Sequence, residues 1–227
     1  MRLTYFGHSA FLLELARTRL LFDPYLRENP HGSVDPKSVP CDLVFCSHAH
    51  SDHVGDALEL ARLHHAKIVA PYELAEHFAA QGAETIDLMP GGGVTLPWGR
   101  IDMTPAIHGS ALELGDGKTL SMGPPSGFVV RADGQSLYHA GDTALFGDMR
   151  LIGRHGIDVA LLPIGDFYTM GPADAVEALH LLRPRLAIPM HFNSNPKIRV
   201  DPHRFAAEAR RTGHPVRVMS PGETIEV

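Results

Sequence analysis

A chain of 227 residues with 44% hydrophobic and 20% charged side chains has the make-up of an ordinary globular protein, long enough for one well-buried core and short for two. Its formal net charge of −6 argues against a broad nucleic-acid-binding face, which needs a basic excess, though not against local basic patches, and the length leaves no room for a dedicated nucleic-acid-binding domain. No apolar run approaches the roughly 20 residues of a membrane-crossing helix, so no membrane partnership is expected.

The chain opens with MRLTYFGHSAFLLELARTR, in which Glu14 and several polar residues interrupt the apolar part, so it does not read as a signal peptide. Arg2–Tyr5, Phe11–Leu15 and Arg19–Phe22 are short β-rich runs separated by turn chemistry at Gly7 and Asp23-Pro24. Residues Arg27 to Pro40 form a polar surface loop. Leu43–Cys46 is a continuous apolar run, as in a strand buried on both faces. Cys46 lies inside it as a small core residue and Cys41 stands at its entrance; nothing points to a disulfide, and the expected location is the cytoplasm. After SHAHSDHVGD comes a helix over Ala57–His65, a strand at Lys67–Ala70, and a helix over Tyr72–Gln81 ended by Gly82.

The middle of the chain is β-rich, with strands expected at Thr85–Leu88, Val94–Leu96, Ile101–Ala106, Gly127–Arg131 and Ser136–His139. Gly91-Gly92-Gly93 is a turn; no helix or Gly-Lys-Ser follows, so it is not a phosphate loop. Alternation then returns: strand Val159–Pro163, helix Pro172–Leu182, strand Leu186–Pro189, helix Pro202–Thr212, and strands Val216–Met219 and Thr224–Val227. Two β-rich blocks, each flanked by helices, predict an α+β protein, a four-layer αββα sandwich forming one domain over residues 1–227.

The chemistry concentrates in His48-Ala49-His50-Ser51-Asp52-His53, which leaves a buried strand and enters a helix. Residues two apart in extended chain point the same way, so His48 and His50 can reach one metal ion, while Asp52 and His53, at the turn, can reach a second point nearby. Crowded imidazoles and a carboxylate gain nothing from such a loop without a metal. His108, Asp142 and His191 each follow an expected strand, where loops gather side chains into one site. Asp142, as a carboxylate, can bridge two cations.

HAHSDH resembles the HxHxDH signature of the metallo-β-lactamase superfamily, whose fold is the αββα sandwich. FGHSAF, TPAIHGS, PSGFVV, YHAGDTALFGDM, LLPIGDFYTMGP and IPMHFNSNP extend the likeness to a small family of metal-dependent hydrolases similar to L-ascorbate-6-phosphate lactonases and to the phospholipase D acting on N-acyl phosphatidylethanolamine. The resemblance implies His48, His50 and His108 on one metal, Asp52, His53 and His191 on the other, and Asp142 bridging. Two places depart from the family pattern: Gly109-Ser110 stands after His108, where the resemblance implies two small hydroxyl residues, and Phe192 after His191, where an aromatic hydroxyl is common.

The outer residues read less sharply. His8, in a Gly-His-Ser turn, either hydrogen-bonds substrate or a ligand, as a catalytic residue beside Asp52, or serves only the turn. Asp23 either supports a metal ligand or terminates a strand. His139 points away from the Asp142 side, into the core or a sheet face. His31, His64, His65, His77, His155, His180, His203 and His214 are expected in solvent, and Lys197 and Arg199 as a solvated pair rather than an anion clamp. Asp166 either approaches the site or fixes its loop.

The expected activity is that of a dinuclear metal-dependent hydrolase using a metal-bridging hydroxide on a small-molecule ester, a phosphodiester first, with a lactone or other carboxylic ester as the alternative. Mixed nitrogen and oxygen donors suit two divalent ions, zinc first and manganese next. A non-catalytic metal-binding sensor is the alternative of another class. Homo-oligomerisation is implied by the family resemblance alone.

Overall fold

The computed structural model describes residues 1–227. In chain order it runs β1 (Arg2–Gly7), β2 (Ala10–Glu14), β3 (Arg19–Phe22), β4 (Leu43–Phe45), α1 (Ser51–Val54), α2 (Ala57–His64), β5 (Lys67–Pro71), α3 (Tyr72–Ala79) and β6 (Thr85–Leu88). The second half runs β7 (Gly93–Leu96), β8 (Gly99–Pro105), β9 (Ala111–Gly115), β10 (Lys118–Ser121), β11 (Ser126–Ala132), β12 (Gln135–His139), α4 (Met149–Gly153), β13 (Val159–Pro163), α5 (Pro172–Leu182), β14 (Leu186–Met190), α6 (Pro202–Arg211) and β15 (Thr224–Glu226). One sheet has the order β15-β1-β2-β3-β4-β5-β6 and the other β14-β13-β12-β11-β8-β7; β9 and β10 form a separate hairpin.

Alternation of side chains across the strands makes the layers. In β3, Leu20 and Phe22 face the interior between the sheets while Leu21 faces the outer helices; in β4, Leu43 and Phe45 face inward and Val44 outward. Phe22 stacks on Phe45 with ring centroids 4.5 Å apart, and Phe45 meets Phe128 of the opposite sheet edge-on at 5.1 Å. Leu60 and Ala61 of α2, with Leu74 and Phe78 of α3, cover the outer face of the first sheet. Ala175, Leu179 and Leu182 of α5, with Phe205 and Ala209 of α6, cover the second, one residue per turn facing inward as a surface helix requires. The result is the four-layer αββα arrangement. No helix is long and apolar enough to cross a membrane.

Strand direction decides where the site lies. β3, β4, β5 and β6 are mutually parallel, and β1, separated from β3 by the antiparallel β2, runs with them. In the second sheet β12, β13 and β14 are parallel, and β8 runs with them across the antiparallel β11. The turns and loops that follow β1, β3, β4, β8, β12, β13 and β14 therefore all emerge at the carboxyl edge of their own sheet.

Three elements differ from expectation. The hairpin β9–β10 lies where no strand is expected, although Asp116 and Gly117 (φ +51° and +70°) make the two-residue turn with both central residues left-handed. Helix α4, five residues long, is too short to carry a helical period. Val216–Met219 forms only an isolated bridge, Val216 beside Ala187: the Pro215 carbonyl and the Arg217 N–H both pair with Ala187, and the turn at Pro221 and Gly222 follows.

Candidate metal centre

The loop after β4 carries His48 and His50 through a bend, with His50 itself extended, before α1 begins at Ser51, and α1 is only long enough to bring Asp52 and His53 round to the same side. His48 Nε2 lies 2.9 Å from His50 Nδ1, and ligand atoms of His48, His50 and His108 all fall within 4.8 Å of one another. His108 comes from the segment after β8. A second group, within the same limit, unites His8, Asp52, His53 and His191, the last following β14. Asp142, following β12, stands between the groups: Oδ1 is 3.4 Å from His53 Nε2, and Oδ2 is 3.5 Å from His108 Nε2 and 2.9 Å from His191 Nε2.

All seven side chains singled out as metal ligands thus meet at one place, drawn from both sheets. His8 joins them. Its backbone is left-handed (φ +55°), which turns the ring inward, and it is 1% exposed. Nε2 lies 3.0 Å from Asp52 Oδ2, Nδ1 lies 2.8 Å from Ser194 Oγ, and its carbonyl accepts from Tyr5 Oη and the His191 N–H. His8 therefore does more than form a turn.

Electrostatics sorts the cluster into the protonation states that cations need. Burial and the neighbouring His53 hold His48 well below the usual imidazole range, and burial likewise lowers His50 and His108. Burial works against ionised Asp142 and Asp52, but His191 and His53 outweigh it for Asp142, and His53 and His8 for Asp52, so both lie below the carboxylate range. His53 is the exception: burial opposes its charge, yet Asp142, Asp23 and Asp52 raise it well above the ordinary value. The negative potential that draws a proton to His53 is the potential that draws a divalent cation.

Two buried atoms test the fit. His53 Nε2 and Asp142 Oδ1, 3.4 Å apart, make no hydrogen bond, and nor does the buried His191 Nδ1. A buried polar atom left unpaired costs about 1–3 kcal/mol, and a cation between a bare imidazole nitrogen and a carboxylate oxygen satisfies both. The residues present fit a metal-binding centre.

Residues around the cluster fall into place unevenly. His139 is buried, stacks on Phe22 (5.2 Å), gives Nε2–H to the Ser9 carbonyl at 3.0 Å and accepts the Gly141 N–H at Nδ1. It braces the Gly-Asp turn from the core side. Asp166 fixes its loop: its N–H pairs with Met170, whose own N–H pairs with the Thr143 carbonyl. His31 is not in solvent, since its Nε2 lies 2.9 Å from the Phe192 carbonyl. Lys197 and Arg199 are both exposed, as expected, and the Lys197 ammonium lies 3.1 Å from Tyr168 Oη and 5.0 Å from the Phe167 ring centre. No role for Ser47 or Ser194 is legible in the sequence, which marks Ser110 only as part of a departure from the family pattern. Ser110 Oγ accepts the Ala49 N–H within the HAHSDH loop, and a lone serine beside a ligand carries no spacing signal.

Comparison with known proteins agrees with this architecture. The family described as "Beta-lactamase superfamily domain" matches residues 18–192. The chain is 44% identical to the UPF0173 metal-dependent hydrolase of Pelotomaculum thermopropionicum over the full length of both, and 46% identical to that of Thermofilum pendens, covering 99% of this chain and 98% of the other. Among solved structures, Igni18, a metallo hydrolase from Ignicoccus hospitalis, superposes with a TM-score of 0.90 at 40% identity, covering 100% of this chain and 98% of that one. A cluster of imidazoles and carboxylates at the shared edge of an αββα sandwich, and whole-length identity to these hydrolases, lead to one conclusion: the chain belongs to the beta-lactamase superfamily, as a metal-dependent hydrolase of the UPF0173 group.

Proposed function

We propose that this hydrolase is dinuclear and cleaves a small phosphodiester. The observation that carries the reading is Asp142, which lies between the ligand groups: Oδ2 is close to His108 of one and His191 of the other, and Oδ1 is close to His53. His48, His50 and His108 would hold one cation, and Asp52, His53 and His191 the other. Five imidazoles and two carboxylates suit zinc first and manganese next.

When bound, the two cations supply Lewis-acid stabilisation of the attacked group and lower the pKa of an attacking water towards neutrality. The protein's own groups do the rest. Asp52 is the carboxylate open to solvent, with its side chain 37% exposed against 3% for Asp142, so it is the one that takes the proton of the incoming water. His8, through Nε2, holds Asp52 Oδ2 in place, and Ser194 holds the far side of the His8 ring. A phosphodiester, with negative charge spread over several oxygens, matches a pair of cations better than a neutral ester does. A lactone or other carboxylic ester is the second reading. An exposed apolar side chain at the site favours it, Ile107 beside His108 being 54% exposed. The two free, buried cysteines suit a reducing, cytoplasmic setting.

Elemental analysis of protein purified without chelator, beside hydrolysis of bis(p-nitrophenyl) phosphate and a simple lactone, tests the reading. We expect about two metals per chain, and in Asp142→Ala fewer than one together with a loss of turnover beyond about 100-fold, the upper end for outer partners of metal ligands. One metal or none after reconstitution sinks the dinuclear site. Faster lactone cleavage selects the second reading, and full loading without turnover of either ester selects a metal-binding sensor.

A further inference from the structure

Asp23 ends β3 in a left-handed conformation (φ +41°), with its N–H bonded to the Phe45 carbonyl of β4 and its side chain wholly buried. Oδ1 accepts the Ser47 N–H at 2.8 Å. Oδ2 accepts the Ser47 hydroxyl at 2.7 Å and lies 2.7 Å from His53 Nδ1. Ser47 Oγ in turn lies 3.0 Å from His48 Nδ1.

Counting hydrogens along this chain fixes two ring tautomers. A carboxylate has no proton to give, so the hydrogen between Asp23 and His53 belongs to His53 Nδ1, and in the neutral ring that binds a cation Nε2 is the nitrogen left bare towards Asp142. Ser47 has one hydroxyl hydrogen, and that hydrogen is already given to Asp23. Its oxygen can therefore only accept from His48, which places a hydrogen on His48 Nδ1 and leaves Nε2 bare towards His50. One buried carboxylate thus orients a histidine in each ligand group, the first directly and the second through a serine hydroxyl.

We propose that Asp23 is the positioning residue shared by both halves of the metal centre, acting on His53 directly and on His48 through Ser47, so that its loss weakens both metal positions while loss of Ser47 weakens only the His48 position. This rests on the metal-binding reading above. Outer partners of ligating histidines change metal affinity by about 10–100-fold, which sets the size of the effect. Asp23→Asn is the informative change, because an amide NH₂ turned to His53 gives Nδ1 a hydrogen to accept and moves the ring hydrogen to Nε2, facing the centre.

The test has two arms. Nitrogen-15 shifts of the imidazoles in metal-free protein, followed upward in pH until the His53 ring is neutral, report the tautomers without any metal. Calorimetric zinc titration against a competing chelator reports the binding steps. In wild type we expect hydrogen on Nδ1 of both His48 and His53. In Asp23→Asn we expect the His53 tautomer reversed and both steps weakened by about 10–100-fold. Ser47→Ala should keep the His53 tautomer, lose that of His48, and weaken one step only. Wild-type tautomers and affinities in both variants overturn the proposal, as does weaker binding with both tautomers unchanged. Should Asp23→Asn fail to fold, the one-step loss in Ser47→Ala decides alone. A wild-type chain that binds no zinc yet shows the expected tautomers overturns the metal reading and leaves the positioning geometry standing.

Discussion

Gly141 stands just before Asp142, and its backbone has φ +60°, where an L side chain is strained. A Cβ there would stand 2.5 Å from the Ser126 carbonyl oxygen and 2.8 Å from Ser47 Cβ. The turn is pressed against the serine that bonds Asp23, so the approach of the Asp142 loop to the His48 loop needs a residue without a side chain. Left-handed strain costs about 1–2 kcal/mol and overpacking a further 1–3 kcal/mol. Gly141→Ala should therefore lower stability by about 2–5 kcal/mol in chemical denaturation and reduce metal content in the fraction that folds. Wild-type stability would mean that the two loops have slack to part. The same contact shows what a linear reading can and cannot reach. HAHSDH was legible because six neighbouring residues concentrate four potential donors, and His108, Asp142 and His191 because each follows a strand. Ser47, Ser194 and the inward face of His8 depend on which loops meet and on left-handed backbone at His8 and Asp23, none of which a spacing records.

Elements were legible where burial imposes a period. Leu43–Phe45 is apolar throughout because the sheet is covered on both faces, and α2, α3, α5 and α6 show their inward residues at helical spacing. Exposure hides the others: β10 is exposed along its whole length, so its hairpin with β9 lacks the apolar alternation that marks a strand, and only the Asp-Gly turn announces it. Helix α6 shows local chemistry and tertiary packing together. Asp201 caps it, its Oδ1 accepting the N–H groups of His203 and Arg204, while Pro202 fills the first helical position and Phe205, Ala206 and Ala209 pack on the second sheet. Asp201→Ala should cost about 1 kcal/mol, the usual value of such a cap, read as a lower denaturation midpoint with an unchanged slope. Because α6 lies on the outer face, activity per bound metal should stay at the wild-type level; a fall in that ratio would mean that α6 reaches the site.

At the scale of the molecule, the two sheets meet through a core of interdigitated side chains and, at one edge, through the metal centre. His48, His50, Asp52 and His53 come from the first sheet, and His108, Asp142 and His191 from the second. A cation held by both groups is a cross-link between the halves, and it binds a geometry that the unfolded chain lacks. Its binding free energy is then added to stability as a function of free metal: about 2.7 kcal/mol at a hundred times the dissociation constant and about 4.1 kcal/mol at a thousand times. For a chain of this size each kcal/mol moves the midpoint by about 2–4 °C, so removal of metal by chelator and dialysis should lower Tm by roughly 5–15 °C. Titrating zinc back should raise Tm continuously past saturation of the site, because mass action keeps favouring the folded state after every folded molecule is loaded. The carboxylates that draw a proton to His53 in the metal-free centre add a sign to this effect. Cation and proton compete for the same negative potential, so the stabilisation by zinc should shrink as pH falls. A Tm indifferent to chelator and to added zinc would place the cations outside the junction of the two sheets and remove the cross-link from the account of stability.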